Sequence, residues 1–257
     1  MRTPLVFDIK RASTNDGPGI RTVIFFKGCN LNCAWCHNPE SKRAHAEMAF
    51  FADKCIGCGE CKSACAKGND GCIICGECTE VCPAGARRLY GKEYSVPELF
   101  DIIKADKAYF DATGGGATFS GGECMLYPEF VRDLARLCKE NGISVAIDTA
   151  GCVPFSSFET IMPFADLFLF DIKALDTKLH EKGTGKPNDL ILENLNLLIK
   201  ANKSVQIRVP VIPSFNDGEE VERIKEFCEQ RNLPVELLPY HEFGKDKKRA
   251  LESFSSL

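Results

Sequence analysis

Eleven of the 15 cysteines fall between positions 29 and 82 in three spaced groups, and no other feature limits the possible folds as strongly. A chain of 257 residues with 44% hydrophobic composition can bury one large core and one small appended module. The stretch from about 50 to 90, however, is built from Cys, Gly, Ala and Lys with few long apolar residues, so bound metal has to organise it. Disulfides are not expected there. No apolar run approaches the roughly 18 residues of a membrane span, and the start, Met1-Arg2-Thr3-Pro4-Leu5, lacks the apolar core of a signal peptide. The expected compartment is the cytoplasm, where thiols stay reduced. A formal net charge of -4 gives no basic footprint, which argues against nucleic acid or a membrane surface as partner. The four scattered cysteines, Cys124, Cys138, Cys152 and Cys228, read as small buried hydrophobes.

Cys29, Cys33 and Cys36 have the spacing C-x3-C-x2-C, which offers three thiolates from one short loop and no close fourth. Zinc is one reading, closed by His37 as fourth ligand, although its adjacency to Cys36 makes joint ligation awkward. A 4Fe-4S cluster with one open iron is the other, and that iron can chelate the amino and carboxylate groups of a methionine moiety. The second and third groups, Cys55-x2-Cys58-x2-Cys61-x3-Cys65 and Cys72-x2-Cys75-x2-Cys78-x3-Cys82-Pro83, duplicate the bacterial two-cluster ferredoxin run. In such runs the fourth cysteine crosses over. One cluster should therefore use Cys55, Cys58, Cys61 and Cys82, and the other Cys72, Cys75, Cys78 and Cys65. Gly57, Gly59 and Gly76 suit the sharp turns around such a cofactor, while Ala66 stands where proline often follows. Two zinc knuckles are the alternative.

The short apolar run 22–27 ends at Gly28, so the first cysteine group follows a strand. After residue 95 the pattern alternates between helices (97–105, 128–140, 188–201, 217–230) and apolar strands (115–119, 143–148, 166–171, 205–210, 235–239). Alternation of this kind means a parallel sheet. The predicted fold is α/β: a partial (β/α)6 TIM-like barrel over 1–48 and 91–257, with a ferredoxin-like insert over 49–90. Polar motifs at the strand ends, Gly121-Gly122-Glu123, Asp148-Thr149, Asp171-Ile172-Lys173 and Tyr240-His241, would then share one rim. A carboxylate buried at an apolar strand end, as Asp148 and Asp171 would be, needs a counter-charge or a bound cation, and an internal Asp–Lys pair would supply one. Of the four histidines, His45 and His180 read as surface residues.

The stretch from Asp16-Gly17-Pro18-Gly19-Ile20-Arg21 to Cys29, continuing to Trp35-Cys36-His37-Asn38-Pro39-Glu40, resembles the glycyl radical enzyme activating enzymes of the radical S-adenosylmethionine superfamily, the pyruvate formate-lyase activating enzyme type. Motifs in the same order extend the likeness to about Lys245. The resemblance implies a cluster on Cys29, Cys33 and Cys36 that reductively cleaves S-adenosylmethionine to methionine and a 5'-deoxyadenosyl radical, which takes a hydrogen from a backbone glycine of a partner glycyl radical enzyme. It further implies Trp35, Cys36 and His37 beside the nucleoside, and Gly121, Gly122 and Glu123 on the methionine amino group. Lys173 would meet the carboxylate, Asp148 and Asp171 would hold a monovalent cation beside it, and His241 would lie near the ribose or methionine. Ile172 belongs to the same cofactor-binding motif. Asp16 and Arg21 would face the partner loop; the other reading of Asp-Gly-Pro-Gly is a tight turn. Arg208-Val209-Pro210 also matches, whereas Cys124 replaces a usual proline and Ala150 a common asparagine. Only sixteen residues follow His241, so a terminal helix seen in some relatives is expected to be absent.

Three 4Fe-4S clusters, S-adenosylmethionine, flavodoxin or ferredoxin as electron donor, oxygen sensitivity and a monomeric state complete the expectation. Two other functions fit parts of the sequence: a radical enzyme acting on a small molecule or other peptide, and a pure iron-sulfur electron carrier. Anaerobic reconstitution should yield about twelve irons and as many sulfides per chain; about eight would favour the electron carrier.

Overall fold

The computed structural model describes residues 3–65, 67 and 71–255. Ala66 lies outside them, as do Met1 and Arg2. The strands are β1 (Leu5–Ser13), β2 (Arg21–Phe26), β3 (Glu47–Phe50), β4 (Arg87–Tyr90), β5 (Lys92–Glu93), β6 (Gly116–Gly121), β7 (Ser144–Thr149), β8 (Leu167–Asp171), β9 (Val205–Val211) and β10 (Val235–Pro239). The helices are α1 (Glu60–Ala64), α2 (Glu77–Glu80), α3 (Val96–Lys104), α4 (Lys107–Thr113), α5 (Pro128–Glu140), α6 (Phe155–Ile161), α7 (Thr177–Thr184), α8 (Asp189–Lys200), α9 (Glu219–Glu229) and α10 (Phe243–Ser255).

Six strands run parallel in the order β2-β6-β7-β8-β9-β10, each separated from the next by helix, which is the alternation read from the sequence. Strands β6, β7 and β8 are buried along most of their length because helices cover one face and the barrel interior the other. Phe119, Ile147, Phe168, Phe170 and Ile207 are buried in the main core, on the sheet face opposite the cavity-lining Ser120, Asp148, Asp171 and Arg208, with Phe168 and Phe170 packed on Phe158 of α6. Helix α5 shows why its sequence folds so: Val131, Leu134, Ala135 and Cys138 recur at helical spacing and all face the core, and Pro128 begins the first turn. The sheet stays open at β10, whose residues are half exposed. The molecule is thus a mixed α/β fold around a mostly parallel sheet, as in a partial barrel.

Several elements escaped the periodicity. Antiparallel to β2 runs β1, an outer strand with one wetted face, so its charged residues mask the strand pattern. The cysteine-rich segment leaves and rejoins the sheet region through an antiparallel pair, β3 and β4, in register from Glu47 with Tyr90 to Phe50 with Arg87. A terminal helix is present, contrary to expectation. Its Ala250 joins Phe7, Ala49 and Tyr90 in a second small core, so contact with the β3–β4 pair supplies the burial that α10 lacks by itself. His180 is also corrected: it is 1% exposed, with Nδ1 2.7 Å from the carbonyl oxygen of Lys186. A histidine in a polar helix carries no signal of burial, which here comes from the packing of α7.

Arg21 at the start of β2 is only 1% exposed. Its guanidinium donates to Thr118 Oγ1 (2.7 Å) and to the carbonyl oxygens of Ala117 (2.6 Å), Pro18 (3.2 Å) and Ser144 (3.3 Å). Replacing it strands buried acceptors. Arg21→Met should lower the free energy of unfolding by about 3 kcal/mol, the order expected when charged hydrogen bonds are lost and their partners left unpaired, read as a shift in denaturation midpoint.

Candidate active site

A parallel sheet points every strand's carboxyl end to one side, and the motifs at those ends meet there. A cavity of about 460 Å³ is lined by Cys29, Cys33 and Cys36 on one wall, and by Ser120, Gly121, Gly122, Asp148, Asp171 and Lys173 on another. Trp35, His37, Arg208, His241 and Asp16 border it too. Outside the insert, the site residues named from the sequence therefore converge, with three exceptions. Ile172 is buried beneath the rim, its amide donating to the Arg208 carbonyl (3.0 Å). Arg21 lies under the 14–19 segment as a strut, too deeply buried to touch a partner directly. The Glu123 carboxylate faces inward. Its oxygens accept from Met125 N–H (3.1 Å), Thr149 Oγ1 (2.8 Å) and Ala150 N–H (3.0 Å), so the backbone of Gly121-Gly122 reaches the cavity but this carboxylate does not.

The loop after β2 is held firmly. Gly28 N–H donates to the Ser41 carbonyl (2.6 Å), Cys29 N–H to that of Lys42 (3.1 Å), and Glu123 N–H to that of Gly28 (2.8 Å). Buried Lys27 binds the Glu40 carbonyl oxygen and Glu47 (3.0 Å), while Lys247 of α10 reaches Glu40 Oε1 (2.7 Å) and Asn38 Oδ1 (3.0 Å). A Cβ on Gly244 would fall 2.2 Å from the Cys36 carbonyl oxygen, so the first turn of α10 packs directly on the cysteine loop.

None of the fifteen cysteines is in a disulfide. Burial pushes Cys29 up to about 12 and raises Cys33 and Cys36 as well, with the charge of Cys33 adding to the rise at Cys36. Three thiols gathered where ionisation is unfavourable are matched by a metal centre whose positive charge reverses that cost. Among the described residues, no three His, Cys, Asp or Glu side chains converge on one metal-ion position. His37 turns away to pack near His241 and Phe243, with ring centroids 6.4 and 5.9 Å distant.

The two rim aspartates both have protein counter-charges. Asp171 pairs with Lys173 (2.7 Å), whereas Asp148 accepts from Ser120 (2.6 Å) and faces Arg208 Nη1 (3.4 Å). Burial raises Asp148, with Arg208 pulling the other way. Burial opposes the charge on Lys173, yet Asp171 and the thiols of Cys33 and Cys29 together hold it above the usual lysine range. The sequence matched Arg208 but assigned it no role; an arginine inside an apolar strand was the available signal. Asn216 was missed altogether. Its amide donates to the carbonyl oxygens of Lys173 (2.9 Å) and Pro210 (2.8 Å), fixing the end of β8 against β9. Phe215, also missed, packs on Trp35 at 4.2 Å between ring centroids.

The remaining cysteines fall into two further sets. Cys65, Cys72, Cys75 and Cys78 line one cavity, and Cys55, Cys58, Cys61 and Cys82 line another. Each set draws its fourth member from the other half of the repeat. Gly57 (φ 72°) and Ile74 (φ 58°) occupy equivalent positions in the two halves, so the second half makes the same left-handed turn without glycine, at a cost of about 1–2 kcal/mol. The four scattered cysteines are buried.

The chain belongs to the Radical SAM superfamily, whose sequence profile matches residues 23–228. The trans-4-hydroxy-L-proline dehydratase activating enzyme of Clostridioides difficile is 42% identical over 95% of this chain and 86% of its own length. The choline trimethylamine-lyase activating enzyme of Oleidesulfovibrio alaskensis is 36% identical over 97% of this chain and 87% of its own. Within the superfamily, then, the chain is a member of the glycyl radical enzyme activating enzymes. The Streptococcus suis SuiB structure bound to precursor peptide SuiA shares the fold, with a TM-score of 0.59, 16% identity and coverage of 91% of this chain and 44% of that one. Among the described residues no helix is long and apolar enough to cross a membrane.

Burial pushes Glu123 up to about 7 despite its three donors. A folded-state value above the ordinary carboxylate value means that the folded chain holds this proton more tightly than the unfolded chain. The contribution is complete below the unfolded value and is lost as pH rises through about 7. Denaturation midpoints should therefore fall between pH 4.5 and 7.5 by the equivalent of ~3 kcal/mol, and Glu123→Ala should remove most of that slope.

Proposed function

We propose that the protein activates a partner glycyl radical enzyme, using one cavity to bind S-adenosylmethionine against a site-differentiated 4Fe-4S cluster. The observation that carries this reading is the opening of Cys29, Cys33 and Cys36 onto the same cavity as the strand-end motifs. When bound, the cluster supplies one electron to S-adenosylmethionine, giving methionine and a 5'-deoxyadenosyl radical that takes a hydrogen atom from a glycine of the partner. The protein's task is to bind, orient and exclude water. Gly121-Gly122 offers backbone to the methionine amino group, Lys173 offers its ammonium to the carboxylate, and Trp35, Cys36, His37 and His241 border the nucleoside. Asp148 and Asp171 complete the polar wall; their pairing with Arg208 and Lys173 already meets the electrostatic need that a monovalent cation would serve.

The partner loop would enter beside Asp16, which is tied to the rim by Ser13 and by Thr118 Oγ1 donating to its carbonyl oxygen (2.7 Å). We assign residues 1–48 and 91–257 to the partial barrel and 49–90 to a ferredoxin-like insert holding two auxiliary 4Fe-4S clusters. The grouping of its eight cysteines into two lined cavities, with crossed fourth members, supports that assignment. A cytoplasmic monomer reduced by flavodoxin or ferredoxin fits the reading.

Reconstituted protein reduced with dithionite should convert S-adenosylmethionine to 5'-deoxyadenosine and, with its partner, produce a glycyl radical signal by electron paramagnetic resonance. Asp16→Asn should cut partner activation by roughly 10- to 100-fold through lost positioning while sparing uncoupled cleavage. Equal loss of both activities would remove Asp16 from partner docking, and no deoxyadenosine at full iron loading would sink the enzyme reading.

A further inference from the structure

Arg87, within the insert, touches both of the additional cysteine sets. It opens β4, is 9% exposed, and lines the cavity of Cys55, Cys58, Cys61 and Cys82. Its backbone amide hydrogen-bonds Cys82, beside the Ala86 amide, which lies 3.3 Å from the same sulfur. Its guanidinium hydrogen-bonds Cys78, a buried member of the other set. Two rings hold that guanidinium in place: Phe50 of β3, with its centroid 5.6 Å away, and Phe254 of α10, at 5.7 Å. A planar cation between two aromatic faces is restricted in orientation, so its charge and donors are aimed rather than averaged.

We propose that Arg87 is a redox-positioning residue, which raises the reduction potential of the auxiliary clusters by presenting a fixed positive charge and side-chain N–H donors to Cys78 of one set and its backbone N–H to Cys82 of the other. The inference rests on the reading of the insert as a two-cluster module. Each auxiliary cluster takes one electron from a low-potential one-electron donor, with no bond made or broken, and so gains one negative charge. Hydrogen bonds to the sulfurs and nearby charge are established determinants of such potentials, and both favour the more negative, reduced form. The effect is strengthened at Cys78 by burial, because a low effective dielectric leaves the guanidinium poorly screened from that sulfur. Phe254 adds a consequence: the terminal helix that packs on the Cys36 loop also fixes the cation between the auxiliary sites, so one element sets the surroundings of all three cysteine groups.

The test is a redox titration of the anaerobically reconstituted full chain, followed by electron paramagnetic resonance, with iron counted in parallel. Arg87→Met keeps the packing volume between the rings and removes the charge and the side-chain donors. It should hold about twelve irons and shift at least one auxiliary midpoint to more negative potential, while Arg87→Lys, which keeps the charge, should shift it less. Unchanged midpoints in Arg87→Met at full iron loading would overturn the proposal. Should Arg87→Met lose iron, Arg87→Lys is compared with Arg87→Gln: a lower midpoint for Gln supports it, and equal midpoints overturn it. Wild-type iron near four per chain would remove the two-cluster reading, and the inference with it.

Discussion

Parallel strand pairing has a direction, and the site depends on that direction first. Hydrogen bonding in register from Arg21 opposite Gly116 to Phe26 opposite Gly121, and onward through β7, β8, β9 and β10, aligns the carboxyl ends of six strands. The cysteine loop leaves β2, the Gly121-Gly122 turn leaves β6, Asp148 sits near the end of β7 and Asp171 ends β8. These groups are far apart in sequence and adjacent only because a shared strand direction delivers them to one rim. Apolar residues on the helix-covered face keep that register, since a slip by one residue would turn Ile147 or Phe168 away from the helix layer.

The rim holds more buried charge than a core normally tolerates, and each charge is matched locally. Lys27 has Glu47 and a carbonyl, Lys173 has Asp171, and Arg208 faces Asp148. Buried pairs contribute little net stability but are costly to break, so they specify position more than they strengthen the fold. For the cysteine loop the consequence is fixed geometry around three thiols. Lys27 braces its stem from below, and Lys247 braces its far end through Glu40 and Asn38.

The terminal helix links layers that the barrel alone would leave independent. Helix α10 contacts the Cys36 loop through Gly244 and Lys247, the small core under β3 and β4 through Ala250, and Arg87 through Phe254. Truncation at the terminus would therefore reach two cysteine-lined regions as well as the surface. The cysteine-rich segment depends on this support because its own residues bury little: Ile56 and Ile73, at matching positions of the repeat, are both 69% exposed.

The sequence alone determined the parts encoded by local pattern. Six apolar runs at helical intervals predicted six parallel strands, cysteine spacing predicted which thiols group together, and the Asp16–Glu40 motif predicted the family. Tertiary packing decided the rest. It buried His180 and Arg21, turned the Glu123 carboxylate inward onto Thr149 and Ala150, and stabilised a terminal helix that the sequence reading expected to be absent. In each case the missing information was the identity of a distant partner. Burial and counter-charge belong to pairs of residues, such as Asp148 with Arg208 or Arg87 with Phe254, and a pair brought together across the fold leaves no periodic mark on either of its segments.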